Sequence, residues 1–491
     1  MPSQASETEE QMRRPPAPVD WTGVRKVHVM GVCGSAMGAM ATMLRKRGFE
    51  VRGSDNGAYP PMSTTLTREG IAIYEGYRAQ NLDWAPDVVI VGNVIRPTYE
   101  EAIALRQRRI PHCSLPQVLA AQFIGDRHSV VITGTHGKTT TSSMAAWIAH
   151  EAGLDPGFMI GGVTGNFGSN HRLGGDEVFI SEGDEYDTAY FDKHPKFLHY
   201  RARTASINNI EFDHADIYAD VDAVEAAFEK FAQSLPDQGR LIVPAHDPRA
   251  RRAAAASSAP IWLTGIDEPG DIVASDMASD AKGTTFLLEL PGARPLPISL
   301  PLWGRHNVLN ALVAAGLNFE IGVSPERIQE ALGTLRLPAK RQQLKGVARE
   351  IPVIDDFAHH PTAIRETIRS VRVRYPGRRI LALFEVESNT SRRRVFQDAF
   401  AEALGSADRV YFCSPLEKND ALPPAERLDL GELLQTLLHA GTPSVIIADI
   451  DELACAVVDE AEPGRDVILA MSGRDFHGIH EVILGKLEMP G

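Results

Sequence analysis

From residue 24 to residue 124 short β-branched runs alternate with stretches of helical period. Val27-His28-Val29-Met30 runs into a glycine turn, and Val88-Val89-Ile90-Val91 repeats the pattern. Strands covered by helices on both faces read as unbroken apolar runs, so this alternation predicts a parallel α/β sheet. A new unit opens at His128-Ser129-Val130-Val131-Ile132 and leads through a glycine-rich stretch, 133–141, into a helix reaching Trp147. Between about 239 and 302 the pattern turns to short alternating strands, with 284–290 and 295–300 divided by Pro291-Gly292 as in a hairpin. Helices are predicted over 305–316 and 325–332. The proline-bearing stretch 335–340 reads as a hinge. Alternation then resumes, with strands over 353–354, 379–385, 409–413, 444–448 and 466–471 and a helix over 362–374.

The expected architecture is therefore α/β in three domains: a Rossmann-like N-terminal domain (24–126), a P-loop ATPase-like central domain with a small antiparallel addition (127–336), and a Rossmann-like C-terminal domain (337–491). A polar tail, 1–23, is expected to be disordered. The length of 491 residues agrees with about 150 per domain. A formal net charge of −14 gives no general attraction to polyanions, which excludes nucleic acid as the main partner. Cys33, Cys113, Cys413 and Cys455 are too dispersed for a disulfide scaffold, so a reducing, cytoplasmic compartment is expected. No signal-peptide core and no run of about 18 apolar residues occurs, so membrane association is not expected. No obligate protein partner is indicated.

The strongest chemical signal is Gly134-Thr135-His136-Gly137-Lys138-Thr139-Thr140-Thr141, set between an apolar strand and a helix. Backbone N–H groups there surround phosphate oxygens, Lys138 reaches the outer phosphates, and the Thr139 hydroxyl is a ligand for Mg²⁺. Its first glycine stands three residues before Gly137, which departs from the usual spacing. Glu182-Gly183-Asp184-Glu185-Tyr186-Asp187 follows another apolar strand, with Glu182 best placed for a hard cation. Asn209-Ile210-Glu211-Phe212-Asp213-His214 follows a third. Taken alone, the acidic segment reads more readily as a solvated turn and the histidine as structural, whereas the phosphate loop already favours nucleotide binding. Three polar loops after three strands of one sheet point to a ligand site, because parallel sheets bind at their carboxyl ends. The earlier loop, Gly31-Val32-Cys33-Gly34-Ser35-Ala36-Met37-Gly38, resembles a dinucleotide fingerprint with altered spacing. It supports an alternative reading as an NAD-dependent oxidoreductase, which leaves the phosphate loop unexplained.

Five segments, GTHGKTTT (134–141), EGDEYD (182–187), NNIEFDH (208–214), GRHNVLNALVA (304–314) and DDFAHHP (355–361), occur in the order and approximate spacing of the ATP-dependent Mur ligases. The chain resembles that family from 24 to 487. The resemblance implies amide-bond formation driven by ATP through an acyl phosphate. It implies ATP contacts at Gly134, Thr135, His136, Gly137, Lys138, Thr139 and Thr140, an adenine segment at His306, Asn307 and Asn310, a phosphate contact at Arg341 and a ribose contact at Asp356. It places a first Mg²⁺ at Thr139 and a second at Glu182 and His214, and His359 at the reaction centre beside Lys138, Glu182 and His214. A uridine diphosphate would lie on Gly31, Gly34, Ser35, Ala36, Met37 and Gly38, with Asp55 near the uridine.

Within the family the stretch 182–216 is most similar to the branch that joins UDP-N-acetylmuramate to wall-derived L-alanyl-γ-D-glutamyl-meso-diaminopimelate in peptidoglycan recycling. The branch that adds L-alanine is the near alternative. Peptide contacts are implied at Asn389, Arg392 and Arg393. Three positions depart from the family. The site of its carbamylated lysine falls near Phe228; Glu385-Val386-Glu387-Ser388-Asn389-Thr390 stands where the recycling branch has Glu-Pro-Arg-Ser-Asn-Thr; and 471–480 replaces a glycine-richer loop.

Overall fold

A computed structural model describes residues 14–58, 62–215, 217–413 and 422–489. The disorder expected of the N-terminal tail concerns mainly residues 1–13, which lie outside the described residues. In the first sheet β1 (Lys26–Met30) feeds helix α1 (Ser35–Lys46), followed by β2 (Glu50–Asp55), β3 (Ala72–Glu75), β4 (Val88–Val91) and β5 (His112–Ser114). All pairings are parallel, in the order β3-β2-β1-β4-β5. The order reverses at β1, and the carboxyl end of β1 is where a doubly wound sheet opens its ligand crevice. Gly53 in β2 lets the loop after β1 lie against the sheet, since a Cβ there would come within 2.6 Å of the Val32 Cβ.

The second sheet has ten strands. Its first elements are β6 (His128–Thr133), helix α2 (Lys138–Glu151), β7 (Gly157–Met159), β8 (His171–Arg172) and β9 (Val178–Glu182). A separate hairpin, β10 (Asp187–Ala189) with β11 (Asp192–Pro195), precedes β12 (Thr204–Ile207), β13 (Arg240–Pro244) and β14 (Ile261–Ile266). The last members are β15 (Ile272–Asp280), β16 (Gly283–Glu289) and β17 (Leu296–Leu300), before helix α3 (Arg305–Glu320). The order is β17-β16-β15-β14-β13-β12-β6-β9-β7-β8. The antiparallel addition is thus no separate layer. Strands β13 and β14 continue the parallel ladder, and β15 joins β14 in parallel before the meander β15-β16-β17 turns antiparallel. Helix α3 also runs one turn further than expected, because its last turn stays buried against α2. There Asn318 donates to the Ala145 carbonyl at 3.1 Å.

The third sheet contains β18 (Gln343–Ala348), β19 (Ile351–Asp356), β20 (Arg379–Glu385), β21 (Arg409–Cys413), β22 (Ser444–Ile447) and β23 (Asp466–Met471), with helix α4 (Pro361–Arg374) crossing over after β19. Its order is β18-β19-β23-β20-β21-β22, parallel except for the edge strand β18. The sequence pattern hid β18, whose residues are mostly half-buried or exposed and carry no apolar run.

Candidate active site

Strands β12, β6 and β9 are neighbours, so the loops at their carboxyl ends converge on one point. Gly134 (φ 125°) and Gly137 (φ 81°) shape the first loop. A Cβ on Gly134 would come within 2.8 Å of the Asn208 backbone nitrogen, and one on Gly137 within 2.5 Å of Asn310 Oδ1, so the turn accepts only glycine at these two places. The Thr139, Thr140 and Thr141 side chains are buried at the start of α2.

Lys138 Nζ donates to the loop carbonyls of Gly134 (2.7 Å) and Thr135 (3.2 Å) and lies 2.8 Å from Glu185 Oε2. Burial works against its charge, yet the carboxylates of Glu185, Asp184 and Glu182 outweigh burial and raise its pKa. His214 Nε2 sits 3.0 Å from the other oxygen of Glu185. Burial opposes its protonation too, and Glu185 with Asp213 overcomes that and raises its pKa. His214 is held at φ 55°, a left-handed conformation uncommon outside glycine. Lys138 and His214 thus share one carboxylate that is 1% exposed. Asp184, paired with Lys196, is held down at about 2 against a desolvation that would raise it.

Glu182 occupies a different corner. Its Oε1 accepts from Thr139 Oγ1 at 2.9 Å and its Oε2 from the Gly161 N–H at 2.7 Å. Burial raises its pKa even so, which marks a carboxylate lacking a full counter-charge. The oxygens of Thr139 and Glu182 therefore form a hard donor pair suited to Mg²⁺. His214 joins Glu185 rather than this pair. Arg341 approaches from the far side of the hinge, 3.4 Å from Thr139 Oγ1; burial lowers its pKa, and Asp356 and Glu182 counter it.

Of the expected adenine residues, Asn310 is buried beneath the phosphate loop and accepts from Thr141 Oγ1 at 3.1 Å. Asn307, also buried, donates to the Trp303 carbonyl at 2.8 Å. His306 lies beside Gln342, 3.4 Å from its amide nitrogen, and burial pushes its pKa down to about 4. A cavity of about 480 Å³ opens next to them, lined among others by Trp303, Leu337, Arg341, Gln342 and Arg374. The Arg374 guanidinium stacks 4.4 Å above the Trp303 ring. Asp356 is 5% exposed and its oxygens accept from Gln342 N (2.7 Å), Ala358 N (2.8 Å) and Thr367 Oγ1 (3.2 Å). It therefore fixes the Gln342 turn that walls the cavity.

His359 Nδ1 lies 2.8 Å from the Phe357 carbonyl, and burial lowers its pKa. The His136 backbone N–H donates to Asn209 Oδ1 at 2.7 Å, and its ring meets that of His360 at a centroid distance of 4.5 Å. In the first sheet Gly34, Ser35 and Ala36 are exposed at the start of α1, while Gly31, Met37 and Gly38 are buried; Met37 packs toward Gly92 and Gly38 against Met62. Asp55 holds this loop by accepting from the Cys33 N–H at 2.8 Å.

The reversed charge at Glu387 has a partner that the sequence did not reveal. Arg474 Nε lies 2.7 Å from Glu387 Oε2, with the arginine side chain 68% exposed and the glutamate 3%. Arg393 instead pairs with Glu426 at 3.7 Å, and Arg392 is largely buried. Asn389 lies in the same loop after β20. Sequence reasoning also missed Glu185 as the partner of Lys138; its position within an acidic cluster was the available signal.

Three family models match the chain in succession: "Mur ligase family, catalytic domain" over 26–126, "Mur ligase middle domain" over 132–318 and "Mur ligase, glutamate ligase domain" over 340–474. The chain is 39% identical over 465 residues to the UDP-N-acetylmuramate–L-alanyl-γ-D-glutamyl-meso-2,6-diaminoheptandioate ligase of Escherichia coli K12, covering 94% of this chain and 98% of that protein. It is 31% identical over 472 residues to the UDP-N-acetylmuramate–L-alanine ligase of Chlorobium luteolum, covering 94% and 97%. The crystal structure of a murein peptide ligase from Psychrobacter arcticus matches with a TM-score of 0.72 and 34% identity, over 96% of this chain and all of that one. No described helix is long and apolar enough to cross a membrane.

Proposed function

The chain belongs to the Mur ligase family, and from that premise we propose that it is the ATP-dependent ligase that joins UDP-N-acetylmuramate to L-alanyl-γ-D-glutamyl-meso-diaminopimelate, a step of peptidoglycan recycling in the cytoplasm. The observation that carries the reading is full-length similarity to a ligase of that name combined with the convergent loops of Lys138, Glu182 and His214. The L-alanine-adding reaction remains the second reading, supported by the lower but equally extended similarity to that enzyme.

Labour divides by sheet: 24–126 for the UDP-sugar, 127–336 for ATP and metal, 337–491 for adenosine and peptide. Residues 134–140 cradle the phosphates at the positive end of α2. To reach them, Lys138 exchanges its own loop carbonyls and Glu185 for phosphate oxygens. Arg341 closes over the same oxygens from across the hinge. The 480 Å³ cavity takes the adenosine, with Asn307 and His306 acting through its lining residues Trp303 and Gln342, Asn310 supporting the phosphate loop and Asp356 acting through Gln342. Thr139, Glu182 and, on leaving Glu185, His214 would hold Mg²⁺, which would supply charge neutralisation for phosphoryl transfer between two anions.

A carboxylate oxygen of the muramoyl lactyl group attacks the γ-phosphorus and ADP leaves, giving an acyl phosphate. The peptide amine then attacks the acyl carbon, and phosphate leaves with that carboxylate oxygen. His359 is suited to take the amine proton. Burial keeps its ring neutral, and Nδ1–H donation to the Phe357 carbonyl leaves Nε2 as the base. Ser35 and Ala36, exposed at the start of α1, present backbone N–H groups to the UDP diphosphate, Gly34 shapes the turn by donating to the Gly31 carbonyl at 3.2 Å, and Asp55 fixes the loop. Near Asn389, Arg392 and Arg393, the guanidinium of Arg474 offers a carboxylate receptor in place of the family's arginine. Phosphate release measured with each substrate omitted in turn tests the reading. Release is expected only with ATP, UDP-N-acetylmuramate and tripeptide together; release with L-alanine but not tripeptide selects the second reading.

A further inference from the structure

We propose that His136, Glu211 and His360 form a binding site for a transition-metal dication of the Zn²⁺ class, built across the phosphate loop, the loop after β12 and the start of α4. Each residue offers one donor atom, and the three donors lie within 4.8 Å of one another. His136 Nε2 is 3.4 Å and His360 Nδ1 is 3.6 Å from the same oxygen, Glu211 Oε2. Tetrahedral zinc with bonds of about 2.0–2.2 Å sets its donors about 3.4 Å apart, so these two edges fit already. His136 Nε2 is buried and makes no aligned hydrogen bond among the described residues. Leaving such a nitrogen unsatisfied is unfavourable, and a bound cation would give it a partner.

The outer contacts have the pattern of a ligand set. His360 Nε2 lies 3.2 Å from the Phe212 carbonyl; donation there leaves Nδ1 unprotonated, 3.6 Å from Glu211 Oε2, where its lone pair accepts a long 3.4 Å bond from the Thr362 N–H that a bound ion would displace. Thr362 Oγ1 donates to Glu211 Oε2 at 2.7 Å and fixes the carboxylate. Metal-binding imidazoles ordinarily donate their second N–H to such a carbonyl, and ligating carboxylates are themselves hydrogen-bonded. Two imidazoles with one carboxylate favour Zn²⁺ or its neighbours over Mg²⁺, which prefers oxygen throughout. The side chains of His136 and Glu211 are 20% and 35% exposed, giving the ion a route in and a fourth position for water.

None of the three residues belongs to the Thr139–Glu182 pair, so the site is separate from that proposed for Mg²⁺ and does not depend on the ligase reading. His136 and Glu211 come from the central sheet's loops and His360 from the third, so an ion here ties the two regions together beside the ATP loop. Bound zinc therefore slows any turnover in which they must separate.

The test uses full-length protein without a histidine tag, stripped with a chelator and titrated with Zn²⁺ alone against a chromophoric competitor. One equivalent is expected to bind, at least tenfold more weakly in Glu211→Gln and His360→Ala and unchanged in His214→Ala. X-ray absorption at the zinc edge of the unaltered protein, which needs no variant to fold, is expected to show two imidazoles. No stoichiometric binding, wild-type affinity in both variants, loss of binding in His214→Ala, or a zinc shell without imidazole would overturn the proposal.

Discussion

Replacing Lys138 by methionine separates two roles that its position combines. The side chain is 13% exposed and its ammonium lies 2.8 Å from a carboxylate that is 1% exposed. At an effective dielectric constant of about 20 the two charges attract by about 6 kcal/mol. Desolvation of two buried ions, at several kcal/mol each, offsets most of that. The pair as a whole therefore contributes little, whereas removing one member strands the other. Lys138→Met is expected to cost about 3–5 kcal/mol, toward the lower end because His214 remains 3.0 Å from Glu185. For a unit of about 200 residues that is a fall in Tm of about 6–20 °C. Lys138→Met combined with Glu185→Gln should recover most of the loss, and both variants should lack ligase turnover because no cation meets the γ-phosphate. Thermal unfolding of wild type, both single variants and the double variant gives the cycle, with phosphate release measured alongside. A double variant as unstable as Lys138→Met would refute the buried-pair argument; substantial turnover in either folded variant would refute the phosphate role.

Four further outcomes follow from neighbouring features. Glu211 and Asp184 have folded-state pKa values lowered to about 2, so their stabilisation is complete above the unfolded values of 4.5 and 3.8 and is lost as pH falls through about 2; thermal melts should decline progressively below about pH 4.5. His214 has the opposite sign: its raised pKa stabilises the fold below about pH 6.5, and that contribution should fade as pH rises through the folded value. Arg474→Ala should raise KM for tripeptide tenfold or more while leaving KM for ATP unchanged, and an equal rise for both would remove Arg474 from peptide recognition. Gly137→Ala forces a left-handed alanine at φ 81° onto Asn310, costing about 1–2 kcal/mol for the backbone alone, and should abolish nucleotide binding as read by calorimetry.

Much of this was legible because local chemistry writes itself locally. A phosphate loop needs glycine at set positions, and 134–141 shows them; parallel strands need apolar runs, and β1, β4, β6, β20 and β23 show those. Pairings across the chain leave no such trace. Nothing in EGDEYD says that Glu182 turns to Thr139 while Glu185 takes Lys138 and His214, because neighbouring carboxylates differ only in where the backbone points them. Asn310 was expected near adenine, yet the register of α3 against α2 sets it under Gly137. The Glu387–Arg474 pair joins loops after two adjacent strands, β20 and β23, and each residue alone looked like a departure from family pattern. Strand β18 was missed since an edge strand with one face on solvent carries little hydrophobic signal.

If the chain activates the lactyl carboxylate of UDP-N-acetylmuramate with ATP and delivers it to a peptide amine, one oxygen of that carboxylate leaves with the phosphate. Mass spectrometry of one reaction containing ATP, Mg²⁺, tripeptide and UDP-N-acetylmuramate labelled with ¹⁸O in that carboxylate tests it directly. A UDP-muramoyl-tripeptide product is expected, accompanied by inorganic phosphate carrying one ¹⁸O per turnover. Unlabelled phosphate, or no coupled product with the tripeptide, would contradict it.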